Sequence, residues 1–210
     1  MNPRARLHPH HPRLRARRRW RSRASAGLIA IALLAAGCSG SGSDGSTGSG
    51  DEFRYVSATD KGQVIPPGQR SPAGAVRATQ MDGAEFDLAQ RRGEVVLINY
   101  WGSWCGPCVI ETPELEKVYR AYQSRGVLFV GVAVKDVEDA TQAFVDENDV
   151  TYPIIFDFNA KTALQLGNVP MRALPATVVI DQQGRVAGVY VGAVLAGDVE
   201  PVLDALLAEQ

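Results

Sequence analysis

Cysteine is scarce in this chain. Of 210 residues only three are Cys, at positions 38, 105 and 108, too few for a scaffold stapled by several disulfides. Histidine is equally rare, with His8, His10 and His11 the only ones, so nothing beyond position 11 carries an imidazole. A zinc site on Cys105 and Cys108 would need two further ligands, and neither another His nor another Cys follows; no metal or cofactor is expected. No apolar run reaches the roughly 20 residues of a membrane-spanning helix; the run at 24–36 has 13 and is interrupted by Ser25 and Gly27. Acidic residues are absent from the first 37 positions, which hold nine Arg. The remainder sets 13 Lys and Arg against 23 Asp and Glu, a net of −10, which argues against nucleic-acid binding. No repeat of solenoid length is present. With 45% hydrophobic and 21% charged residues, the composition is that of a globular protein.

The basic block at 13–23 and the apolar run after it have the build of a signal peptide over residues 1–37. Its end, Leu34-Ala35-Ala36-Gly37-Cys38, resembles a bacterial lipobox, with the leucine four rather than three positions before the cysteine. That resemblance implies that Cys38 is diacylated and anchors the protein to the cell membrane, facing the extracytoplasmic side. Residues 39–50 are Ser, Gly, Asp and Thr only, a flexible tether (38–52 with its flanks) about 20 Å from end to end. Two acyl chains would supply both membrane signals that stable anchoring takes. An ordinary signal peptide with an incidental Cys38 is the alternative. Arg18-Arg19 stands where a twin-arginine signal has its pair, but Trp20-Arg21-Ser22 does not complete that pattern. Either export route delivers the folded part to a compartment where thiols and disulfides both matter.

Residues 53–210 are expected to form one domain. The Pro/Gly-rich stretch 53–75 reads as a lead-in draped over the core. Asp82-Gly83 is a turn between extended pieces at 76–79 and 85–88. Val95-Val96-Leu97-Ile98 suits a doubly buried central strand. A helix is expected over 107–124, with Val109, Leu115, Val118, Tyr119 and Tyr122 facing inward, stopped by Gly126. Further on, strands are expected at 127–134, 153–156, 177–180 and 186–191, and helices at 137–148, 161–166 and 199–208. This order gives an α/β fold, a central mixed sheet with helices on both faces.

The sharpest local signal is Trp104-Cys105-Gly106-Pro107-Cys108, between a buried strand and a helix. Two intervening residues let both thiols meet on the first helical turn. Free N–H groups and the positive dipole end at a helix N-terminus favour a thiolate at Cys105. A lowered thiol pKa makes nucleophile near neutrality and a better leaving group. Cys105 is expected to be the exposed attacking sulfur and Cys108 the buried resolving one. A purely structural disulfide is the alternative, although so short a loop constrains the unfolded chain weakly.

Residues 71–208 resemble a membrane-tethered, thioredoxin-like thiol–disulfide oxidoreductase of the TlpA/ResA type. The run VVLINYWGSWCGPCVIETP, residues 95–113, carries most of the resemblance. Asp82-Gly83, Leu88 and Gly93 resemble the N-terminal β-hairpin that plain thioredoxins lack. The family implies a thioredoxin-like fold and a cis proline at Pro175, with the backbone of Leu174 turned toward the cysteines. It implies that Glu111, three residues after Cys108, handles the thiol protons; spacing alone favours a solvated helix residue there. Asn99 stands where cytoplasmic thioredoxins have a buried Asp. Pro113 matches the proline inside the first long helix. Trp104, Gly106, Pro107 and Leu174, with Met171, are placed on the substrate-facing rim, and Trp101 in the core.

The family's reaction is exchange of the Cys105–Cys108 dithiol/disulfide with exported protein partners, reduction foremost, including apocytochrome c before haem attachment. Electrons would come from a membrane thiol donor of the CcdA/DsbD type. An extracytoplasmic disulfide oxidase on the same scaffold stays open. A peroxiredoxin-like thiol peroxidase would place Thr or Ser where Gly102 stands. A non-catalytic protein-binding lipoprotein would have no use for Cys105, Cys108 and Pro175 together.

Overall fold

The computed structural model describes residues 56–167, 169 and 171–209. The signal peptide, Cys38 and the tether lie outside the described residues. The described chain runs β1 (Arg77–Thr79), β2 (Glu85–Asp87), β3 (Val95–Trp101), α1 (Gly106–Tyr122), β4 (Val127–Ala133), α2 (Glu138–Glu147), β5 (Ile154–Phe156), α3 (Lys161–Leu166), β6 (Ala176–Ile180), β7 (Val186–Val191) and α4 (Ala196–Leu207).

Five strands form the main sheet in the order β5-β4-β3-β6-β7. β3 lies at its centre, parallel to β4 and antiparallel to β6. All seven of its residues are buried, the polar Asn99 among them, as expected of a central strand that opens on four apolar residues. Strand alternation divides the core in two. Val95, Leu97 and Trp101 meet Leu115, Val118 and Tyr122 of α1, Phe144 of α2, and Val199, Val202, Leu203 and Leu206 of α4. Val96, Ile98 and Tyr100 meet Ala163 and Leu166 of α3 and Phe86 of the hairpin on the opposite face. The fold is therefore thioredoxin-like, a mixed sheet covered by helices on both sides.

The β1–β2 pair turns at Asp82-Gly83, where Gly83 has a φ of +87° and Asp82 accepts the Ala84 N–H at 2.9 Å. Its turn docks on β5, through Met81 N–H to Ile154 O at 2.8 Å. The lead-in bonds along β7 at the other sheet edge, with Thr59 N–H on Val189 O and Ile65 N–H on Ala187 O, both at 2.7 Å. Two exposed strand edges are thereby covered against pairing with other chains.

One expectation on α1 fails. Val109 is exposed, and the inward positions of the first two turns belong to Cys108, Glu111 and Thr112. The apolar count that placed Val109 inside could not anticipate a buried face built from polar groups.

Candidate active site

β3 ends beneath the site and α1 begins at it. Cys105 caps α1 in extended conformation, and its carbonyl accepts the Cys108 N–H at 3.0 Å. Cys105 and Cys108 form a disulfide, with Cα atoms 5.3 Å apart. Gly106 and Pro107, between them, are exposed. Cys105 departs from its expected exposure. It is only 4% exposed, against 0% for Cys108, and both pack within the core cluster that α1 covers. It remains the outer of the two.

The approach loop is fixed by a residue that sequence reasoning missed. Asp136, 5% exposed in the loop between β4 and α2, accepts Ser103 N–H at 2.6 Å, Ser103 Oγ–H at 2.9 Å and Val137 N–H at 2.9 Å. An acidic residue just before a helix is a capping signal, but its bond to Ser103, 33 positions away, has no local sequence mark. Trp104 is 59% exposed and donates its indole N–H to Lys135 O at 2.9 Å. The indole folds back over Gly102, where a Cβ would stand 2.7 Å from Trp104 Nε1. Trp101, by contrast, is core.

Leu174-Pro175 is a cis peptide bond that leads into β6. Leu174, Met171 and Trp104 line one groove of about 350 Å³ together with Val134 and Lys135. Of the residues expected on the rim, Trp104, Met171 and Leu174 thus share one groove, whereas Gly106 and Pro107 are exposed but do not line it.

Glu111 is buried, 1% exposed. It lies one turn beyond Cys108 on the inward face of α1. Asn99 Nδ2 of β3 donates to Glu111 Oε2 at 2.8 Å and also to Thr177 Oγ1 at 3.0 Å. Val194 N–H, from the loop after β7, donates to Glu111 Oε1 at 2.9 Å. Burial pushes the carboxyl up to about 7 from its ordinary 4.5, and these donors and the charge of Lys61 oppose that rise only in part. A carboxyl that titrates near neutrality can take and return protons under working conditions. Pro113 lies inside α1 and makes no contribution to this set.

A redoxin family model matches residues 66–207. The thiol-disulfide oxidoreductase ResA of Halalkalibacterium halodurans is 30% identical over 129 residues, 61% of this chain and 72% of that protein. The thioredoxin-like protein YneN of Bacillus subtilis is 28% identical over 152 residues, 71% of this chain and 86% of that one. Among solved structures, a DsbF homologue from Corynebacterium diphtheriae superposes with a TM-score of 0.66 at 35% identity, covering 73% of this chain and 99% of that one. A secreted thiol-disulfide isomerase from Corynebacterium glutamicum gives 0.68 at 31% identity, covering 75% and 98%.

Proposed function

The chain belongs to the redoxin family and is a thiol–disulfide oxidoreductase of the ResA/DsbE type, and on that premise we propose that Cys105 and Cys108 exchange electrons with exported protein partners, mainly as a reductant. The observation that carries this reading is the placement of the cysteine pair at the start of α1 with the buried Glu111 carboxyl one turn inside.

In the reducing direction, the Cys105 thiolate attacks a partner disulfide. A mixed disulfide forms and one partner sulfur leaves as thiolate. Glu111 takes the proton of the buried Cys108 thiol. Cys108 then attacks the Cys105 sulfur, closes the internal disulfide and expels the second partner sulfur. Two electrons pass to the partner, which ends as a dithiol. Cys108 has no solvent path of its own at 0% exposure, so a buried base with a near-neutral pKa suits its deprotonation. The groove beside Trp104, Met171 and Leu174 offers an apolar seat for the partner, and the backbone at Leu174 an edge for its strand.

An outer-surface setting gives these parts a coherent role. Lipidation at Cys38 would hold the domain at the membrane, within reach of a thiol donor of the CcdA/DsbD type and of substrates such as apocytochrome c. Two measurements test the reading. A Cys105–Cys108 potential at or below about −250 mV supports a reductant, whereas one near −120 mV would mark an oxidase. Cys108→Ala should strand partners on Cys105 as mixed disulfides; recovery of none from the exported proteome would defeat the proposal.

A further inference from the structure

The lead-in reaches the site from behind. Residues 60–63 form a turn, closed by Gln63 N–H on Asp60 O at 3.1 Å, with Gly62 at a φ of +77°. The turn rests on β7 and the loop after it. The Tyr190 hydroxyl donates to Gln63 O at 2.6 Å, and the Lys61 ammonium donates to Ala193 O. That carbonyl belongs to the same peptide unit as the Val194 N–H, which donates to Glu111 Oε1 at 2.9 Å. A single peptide thus stands between an ammonium and a buried carboxyl, hydrogen-bonded at both ends. Linked hydrogen bonds polarise one another. A cation on the carbonyl oxygen makes the N–H at the other end a stronger donor, and a stronger donor favours a carboxylate over a carboxylic acid.

We propose that Lys61 is a positioning residue for thiol–disulfide exchange: through the Ala193–Val194 peptide it orients and strengthens the N–H that Glu111 accepts, which makes the lead-in a working part of the site. The inference rests on the reading of Glu111 as the proton-handling group. The other groups around Glu111 do not supply this charge. Asn99 and Thr177 of the sheet are neutral. The buried Tyr152 phenol is itself pushed up by burial and by Glu111. Glu114 holds Ala196 N–H and pairs with Lys117, and Asp198 holds Leu195 N–H. Lys61 is the cation whose hydrogen bond leads to the carboxyl, and its field works against the upward push of burial.

The test is a titration of the Glu111 side-chain carboxyl by carbon-13 NMR in the oxidised full chain, assigned with Glu111→Gln. Lys61→Met should raise its proton affinity by about threefold, and Lys61→Arg should hold it at the wild-type value. An unmoved midpoint in Lys61→Met overturns the inference. So does an equal shift in Lys61→Arg, because packing rather than charge would then be responsible. Lys61 is exposed, so these variants should fold. Exchange rate against pH separates the two ideas. Rates should rise through the Glu111 midpoint, and Lys61→Met should move that rise to higher pH. If Glu111→Gln flattens the profile and Lys61→Met leaves it in place, only the Lys61 inference fails. If Glu111→Gln changes nothing, the proton-handling reading fails and the role of Lys61 in exchange with it.

Discussion

Helix α1 buries two glutamates five positions apart, and they live in opposite surroundings. Glu116, 6% exposed, accepts Arg120 Nε–H at 2.6 Å, Thr151 Oγ–H at 2.6 Å and Thr151 N–H at 2.9 Å. It has a cation in direct contact and bolts α1 to the segment before β5. Glu111 has only neutral donors in contact, an amide and a backbone N–H, with the Lys61 charge one peptide away. The same residue type, buried at both positions, is a structural tie at Glu116 and, in the role proposed for it, a proton store at Glu111. What separates them is whether a charge partner touches the carboxylate.

The largest expected effect falls at the uncompensated end. Glu111→Gln keeps the shape but cannot accept a proton, and its single oxygen can serve only one of the two donors, Asn99 Nδ2 or Val194 N–H. Closure of the internal disulfide should slow by about 100-fold near neutral pH, read as accumulation of mixed disulfide in rapid-quench experiments. An unchanged rate would remove the distinction between the two glutamates. Stability supplies a second measure. The folded-state pKa of Glu111 is raised, so the native state holds its proton more tightly than the unfolded chain. The stability this gives is fully present below 4.5 and is lost as pH rises toward about 7. Denaturant titrations of the oxidised protein should register a loss of roughly 3 kcal/mol across that window. Glu111→Gln should abolish most of it, and a wild-type curve that is flat there would contradict the assignment.

Glu116→Ala is the converse experiment. It leaves the Thr151 donors without their acceptor, and unfolding should cost about 2 kcal/mol less. The pH profile of exchange should keep its midpoint. Asp136→Ala should fall in the same range, about 1–3 kcal/mol, because three donors converge on that buried carboxylate. Its exchange defect should appear in partner affinity rather than in the pH midpoint, since it holds the loop and not the proton. A shifted midpoint in Glu116→Ala would mean that the two glutamates are coupled, and one in Asp136→Ala that the approach loop acts on the proton as well.

The elements were legible in the chain because local signals mark them. Lys161–Leu166 emerges with its expected bounds, and β3 from the apolar run Val95-Val96-Leu97-Ile98 that opens it. The cysteine pair was legible for the same reason, since both residues and their helix start sit in five consecutive positions. Glu111 was ambiguous. Helical spacing placed it one turn from Cys108, but only Asn99 across the sheet and Val194, 83 positions later, decide that it is buried. Val109 was misread at the same place: where a site turns polar groups inward, hydrophobic counting loses its guide. Asp136 and Lys61 act through partners 33 and 132 positions away. Such contacts exist only once the sheet order is set, and no periodicity or motif announces them.

The smallest expected effect belongs to Trp104, on the outer side of the disulfide. Its indole makes one hydrogen bond, to Lys135 O, from a side chain 59% exposed. Trp104→Phe removes that bond while keeping an aromatic face over Gly102. Water can replace the lost partner at so open a position, so stability should change by no more than about 1 kcal/mol. Exchange with a small disulfide, which needs no groove, should keep its rate and its pH midpoint. Exchange with a protein disulfide should weaken a few-fold, because the indole lines the groove that a partner would occupy. Separate readouts for small and protein disulfides check this directly. If Trp104→Phe also moved the pH midpoint, proton handling would extend to the surface of the site, and the contrast between the compensated and uncompensated glutamates would no longer account for it.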